Sequence, residues 1–136
     1  MSNPPVHPAP YSLVVDGDVV VRMGAMDILE EAGFRTFEAS DGNKALALIS
    51  EHESLIMLLF TGLKLPGSLN GFAVASKVAR LWPHIAIVVA SGDARPAPGD
   101  LPNGARFIPK PFSAAMVHAH LKEILPDGQQ PEPLPT

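Results

Sequence analysis

The stretch Leu-Ile-Met-Leu-Leu-Phe-Thr-Gly-Leu-Lys-Leu-Pro-Gly, residues 55–67, decides the fold. From Leu55 to Phe60 no polar residue interrupts the run, so a strand here has no face to give to water. It belongs in the middle of a parallel sheet covered by helices on both sides. The run stops at Thr61-Gly62, and Pro66, Gly67 and Gly71 mark the loop that follows.

The same alternation continues outward from this strand. Upstream, Ser12 to Val15 is the first strand, and Val21, Ala25, Ile28, Leu29 and Ala32 then recur on one helical face until Gly33 ends the helix. Asp18 is its expected N-cap. Arg35 to Ala39 is the second strand, and Asp41 is placed to cap a helix that buries Ala45, Leu48 and Ile49. Downstream, Phe72, Ala75, Val78, Ala79 and Trp82 define a helix that stops before Pro83. Ile85 to Ala90 is the fourth strand and Ala105 to Ile108 the fifth. Ser113 then caps a last helix whose inner face holds Val117, Leu121 and Ile124. Strands that alternate with helices in this way build a parallel α/β sheet.

One connection breaks the pattern. Ser91 to Asn103 carries Pro96, Pro98 and Pro102, and a proline inside a helix costs about 3 kcal/mol. The helix between the fourth and fifth strands is therefore predicted to be short, irregular or absent.

Composition bounds the function. The 136 residues suit one domain, and 46% hydrophobic against 18% charged suits a sheet buried on both faces. Proline-rich ends, residues 1–10 and 126–136, read as extended tails around a domain at 11–125. The net charge is -4 and the ten Lys and Arg residues are scattered, which argues against a nucleic-acid partner. The absence of cysteine excludes thiol and disulfide chemistry. Met1-Ser-Asn-Pro-Pro has no signal-peptide layout, and no apolar run approaches the about 20 residues of a membrane span. A cytoplasmic protein with no membrane association is expected.

Open parallel sheets carry their functional groups at the carboxyl ends of the strands. Those positions hold Asp16-Gly17-Asp18, Thr61-Gly62, Ser91-Gly92 and Lys110-Pro111-Phe112. In order, Leu13-Val-Val-Asp, Asp41-Gly42, Leu65-Pro-Gly, Asn70-Gly-Phe, Val88-Val-Ala-Ser-Gly and Lys110-Pro-Phe resemble the CheY-like receiver domain of two-component response regulators, over roughly residues 11–125. The resemblance implies a flavodoxin-like, doubly wound five-stranded parallel sheet of order 2-1-3-4-5.

It also implies a site. In that family two adjacent acids after the first strand help to hold Mg²⁺, and an aspartate after the third accepts a phosphoryl group. A Ser or Thr after the fourth strand and a Lys after the fifth contact the phosphoryl oxygens. Asp16, Ser91 and Lys110 match the first acid, the hydroxyl and the lysine, whereas Gly17 stands at the second acid and Gly62 at the phosphoacceptor. A glycine has no side chain with which to form an acyl phosphate, so the usual site cannot be phosphorylated. Mg²⁺ prefers several oxygen ligands, and Asp16 beside Lys110 nearly cancels in charge. No cofactor is expected, with Asp16 and Asp18 as the only metal ligands should Mg²⁺ bind. The resemblance further implies a cis Lys110-Pro111 bond and puts Phe107 at a switching aromatic, where an ordinary packing role is expected without a phosphoryl group to drive a switch.

Nothing else in the chain suggests an enzyme. His7, His52, His84, His118 and His120 lack metal-ligand spacing and read as surface or helix residues. Thr61 and Ser91 have no general base that would make either a nucleophile. The expected protein is a single-domain receiver-like module without an output domain, acting by phosphorylation-independent protein–protein interaction. Its candidate partners are a histidine kinase, a phosphotransfer protein, another receiver or a second copy of itself. Two alternatives differ in class: a working phosphorelay member modified at Asp16 or Asp18, and a small-ligand sensor using the vacated pocket.

Overall fold

A computed structural model describes residues 9–92, 95–97 and 99–125. The elements run β1 (Tyr11–Val15), α1 (Val19–Glu31), β2 (Arg35–Ala39), α2 (Gly42–His52), β3 (Ile56–Gly62), α3 (Gly71–Leu81), β4 (Ala86–Ser91), β5 (Arg106–Pro109) and α4 (Ala114–Ile124). All strand pairs are parallel and the sheet order is β2-β1-β3-β4-β5. The uninterrupted apolar run occupies the central strand, β3, for the reason given above.

Alternation along each strand divides the core into two layers. Leu13, Val15, Leu59, Ile87 and Val89 face α2 and α3, where Ala45, Ile49, Val74, Ala75 and Val78 complete one cluster. Val14, Leu58, Phe60, Val88, Ala90 and Ile108 face the other way, onto Ala25 and Leu29 of α1 and Val117 and Leu121 of α4. Among the described residues the four helices are thus shared two to a face, which is the doubly wound arrangement.

Local chemistry sets the helix ends. Asp18 accepts hydrogen bonds from the amides of Val20 and Val21, Asp41 from Lys44, Asn70 from Ala73 and Ser113 from Met116, each filling donors that a first helical turn leaves open. Gly33, with φ of 102°, adopts the left-handed conformation that ends α1.

The segment between β4 and β5 forms no helix among its described residues. It closes instead through small turns: the Asp100 amide donates to the Ala97 carbonyl, the Ala97 amide to the Asp100 carboxylate, and the Ala105 amide to the Pro102 carbonyl. Leu101 and Ala105 pack against the α2–α3 core cluster. Pro96 and Pro102 lie in this stretch, whereas Pro98 falls outside the described residues.

Several boundaries differ from the sequence reading. β3 starts one residue later and extends two further, so that Gly62 is the last residue of the strand. β4 and β5 are each displaced by one residue toward the carboxyl end. Hydropathy alone misses these ends because Gly62, Ser91 and Pro109 are not apolar markers, yet their backbones continue the ladder. The tail expected over 126–136 and His7 lie outside the described residues, as does the tail over 1–10 apart from Ala9 and Pro10.

Candidate functional site

Parallel registry brings the four strand ends together. Val15 pairs with Thr61, Gly62 with Ala90, and Ser91 with Pro109, so that Asp16, Gly62, Ser91 and Lys110 emerge side by side. The turns are pinned by backbone bonds from Asp16 to Ala39, from Leu63 to Ala90 and from Lys110 to Ser91. The Lys110–Pro111 peptide bond is cis, and Phe112 meets Phe60 edge-on with ring centroids 5.2 Å apart.

Asp16 is the centre of the site. Its side chain is only 9% exposed, and every oxygen it carries has a donor. Oδ1 accepts the Asp18 amide at 2.9 Å, Oδ2 accepts Lys110 Nζ at 2.8 Å, and the backbone carbonyl accepts Arg22 Nη1 at 2.7 Å. Arg22 in turn places Nε 2.8 Å from Glu38 Oε1, tying the β1–α1 turn to β2.

Both glycines sit where a side chain would be crowded. A Cβ on Gly62 would lie 2.8 Å from Asp16 Oδ2 and 3.6 Å from Lys110 Nζ, so the ion pair closes over this position. A Cβ on Gly17 would lie 2.9 Å from Cδ of Pro66. On the far side of β3's end, Gly71 leaves no room for a Cβ against the Gly62 carbonyl, and its amide donates to the Leu63 carbonyl at 2.7 Å. Thr61 is fully buried and donates its hydroxyl to the Gly62 carbonyl at 2.9 Å.

Ser91 is buried at the end of β4, and Phe107 is half-buried on β5 opposite Val89. Asp18 is exposed and occupied with capping α1. Among the histidines, His52 stacks on Phe37 with centroids 4.6 Å apart, His84 bonds the Glu53 carbonyl, and His118 bonds the Ile28 carbonyl, bridging α4 to α1. Those three are therefore structural contacts. Among the described residues, no group of three His, Cys, Asp or Glu side chains converges as a metal site.

Sequence reasoning missed two features here. Arg22 is the one basic residue in Val19-Val-Val-Arg-Met, and its place one helical turn after Asp18 was the available signal for a clasp on the β1–α1 turn. That same segment is also more apolar than one buried face requires, and Val19, Val20 and Met23 are left exposed.

A sheet of this order with an acid, a hydroxyl and a lysine converging at its carboxyl edge defines a class, and comparison with known proteins agrees. The chain belongs to the response regulator receiver domain family, whose model matches residues 12–122. It is similar to the receiver domain of NtrX from Brucella abortus, at 32% identity over 84% of this chain and 97% of that one, with a TM-score of 0.74. The receiver domain of the hybrid histidine kinase CckA superposes with a TM-score of 0.72 at 26% identity, covering 85% of this chain and 99% of that chain. Among curated proteins the chain matches the sensor kinase CckA of Brucella abortus (strain 2308), 29% identical over 83% of this chain. It also matches the aerobic respiration control protein ArcA of Escherichia coli (strain K12), 31% identical over 61% of this chain. The chain spans only 12% and 33% of the length of those two relatives. No helix among the described residues is long and apolar enough to cross a membrane.

Proposed function

We propose that this receiver domain works in two-component signalling by binding a protein partner independently of phosphorylation, with Gly62 at the position of the phosphoacceptor and Gly17 at that of an Mg²⁺-binding acid. The observation that carries the proposal is the Lys110–Asp16 contact of 2.8 Å, closed over a residue without a side chain. A lysine that would meet phosphoryl oxygens is here committed to neutralising the single acid left beside it.

The donor set does not fit Mg²⁺. Octahedral Mg²⁺ needs accessible oxygens, and both carboxylate oxygens of Asp16 already accept hydrogen bonds while Asp18 caps a helix at the surface. The same contacts weigh against Asp16 or Asp18 as a substitute phosphoacceptor. They also weigh against a small anion in the vacated pocket, because the Asp16 carboxylate 2.8 Å from Lys110 Nζ offsets most of its positive charge. Partners remain those the family uses, a histidine kinase, a phosphotransfer protein or another receiver, in the cytoplasm.

The test is intact-mass analysis after incubation with acetyl phosphate and Mg²⁺, beside a receiver that retains its aspartate. No adduct on this chain is expected while the reference gains one phosphoryl group. An adduct here would overturn the proposal and point to another acceptor.

A further inference from the structure

The pair Asn-Gly occurs twice in the chain, at Asn70-Gly71 and at Asn103-Gly104. An asparagine side-chain carbonyl carbon can close a five-membered ring with the backbone nitrogen that follows it, and a glycine there leaves that nitrogen unshielded by a Cβ. By sequence the two pairs are equal, but their surroundings differ. Asn70 Oδ1 accepts the Ala73 amide at 2.9 Å as the cap of α3, and the Gly71 amide donates to the Leu63 carbonyl at 2.7 Å. Gly71 is also buried. Both groups that would have to meet are thus committed elsewhere.

Asn103 and Gly104 are both exposed, and among the described residues neither the Asn103 side chain nor the Gly104 amide is engaged in a hydrogen bond. The Ala105 amide donates to the Pro102 carbonyl at 3.1 Å, and Gly104 has φ of 86° while Asn103 has no positive φ. That is a type II turn with Gly104 at its third position, where the amide takes no part in the turn's own bond. The Gly104 nitrogen is therefore open to the Asn103 side chain, in a turn closed by a single backbone bond.

We infer that Asn103 is a site of spontaneous covalent modification, deamidating through a cyclic imide while Asn70 is protected by the fold. The Gly104 nitrogen attacks Asn103 Cγ. An N–Cγ bond forms, the Gly104 amide proton passes to solvent, and the Cγ–Nδ2 bond breaks with Nδ2 taking up a proton and leaving as ammonia. Water then opens the imide. Addition at Cγ gives aspartate, and addition at the backbone carbonyl carbon of residue 103 gives isoaspartate, in which the main chain runs through Cγ. Nothing is oxidised or reduced. Either product adds one negative charge to a net charge of -4. The charge appears just before β5, on the wall of a groove of about 420 Å³ that Asn103 and Gly104 share with Ala79, Ile85 and Ile87. The inference rests on this turn alone and does not fall with the reading of Gly62.

Ageing of the full, folded chain at mildly alkaline pH tests it, with tryptic peptides followed by mass spectrometry. Leu65–Lys77 carries Asn70 and Leu81–Arg106 carries Asn103, since the Arg95–Pro96 bond resists trypsin. The second peptide is expected to show first the loss of ammonia and then the gain of water, in aspartate and isoaspartate forms. It should react about tenfold or more faster than the first, because there the α3 cap and the Gly71 amide bond must both open before the ring can close. In concentrated urea the two rates should converge, as the fold no longer distinguishes them. Asn103→Gln, whose longer side chain would need a six-membered ring, should lose the imide. A folded chain in which Asn103 stays intact or reacts no faster than Asn70 would overturn the inference, and so would a difference in rate that persists in urea.

Discussion

Replacing Lys110 by methionine removes the cation from Asp16 while keeping most of the aliphatic stem, so the loss measures the ion pair. Two limits bracket it. Breaking a fully buried pair by removing one partner costs about 3–5 kcal/mol, because the other charge is stranded, whereas exposed pairs contribute about 0–1 kcal/mol. Here the carboxylate side is 9% exposed and the lysine side 28%, so the case lies between them. After the change Oδ1 still accepts the Asp18 amide, but Oδ2 loses its donor in a setting poor in water. The expected cost is about 2 kcal/mol, or roughly 6–10 °C in Tm for a domain of this size. Urea unfolding and calorimetry at neutral pH give both quantities. Asp16→Asn completes a double-mutant cycle, since it keeps the shape and removes the charge, and a coupling of about 1–2 kcal/mol is expected for groups in direct contact. If Lys110→Met falls within about 0.5 kcal/mol of wild type, or the coupling vanishes, the pair is not what holds the strand ends together and the argument fails.

Gly62→Ala should destabilise by about 1–3 kcal/mol, because its methyl would sit 2.8 Å from Asp16 Oδ2. That penalty should shrink in a Lys110→Met background, where Asp16 is released to move; an unchanged penalty by urea unfolding would show that the crowding comes from elsewhere. Asp18→Ala should cost about 1 kcal/mol through the lost α1 cap. It should leave the Lys110–Asp16 coupling unchanged in the same cycle, and a large fall in that coupling would place Asp18 in the site.

How far the sequence carries depends on whether a feature is local. The central strand, the caps at Asp18, Asp41 and Ser113 and the break at Pro96 and Pro102 follow from residues a few positions apart, where hydropathy, side-chain capping and proline sterics decide. Asn70 caps α3 by the same rule, and its side chain was there to be read. The Lys110–Asp16 contact spans 94 positions and depends on the order of the strands, which only the resemblance to a family supplied. The exact end of β3 was not legible because Gly62 has no propensity for a strand and continues one only since Ala90 pairs with it. The surplus of valine in α1 was visible, but whether such residues are buried depends on what packs over them, and periodicity is silent on that.

The two glycines are not equivalent vacancies. At position 62 the space a side chain would use is held by a carboxylate and an ammonium that attract each other, so any side chain must first separate a pair. At position 17 the obstacle is the ring of Pro66, which has no flexible end to swing aside. The Pro66 ring belongs to the same β3–α3 loop whose far end is fixed by Gly71 against the Gly62 carbonyl, so a shift of Pro66 is resisted at both ends of the loop. Placing aspartate at both positions is therefore a packing change in the β3–α3 loop as well as a charge change in the pocket. The site as built is a closed ion pair supported by Arg22 on the Asp16 carbonyl, so a side chain added at either glycine has to be accommodated around contacts that are already made.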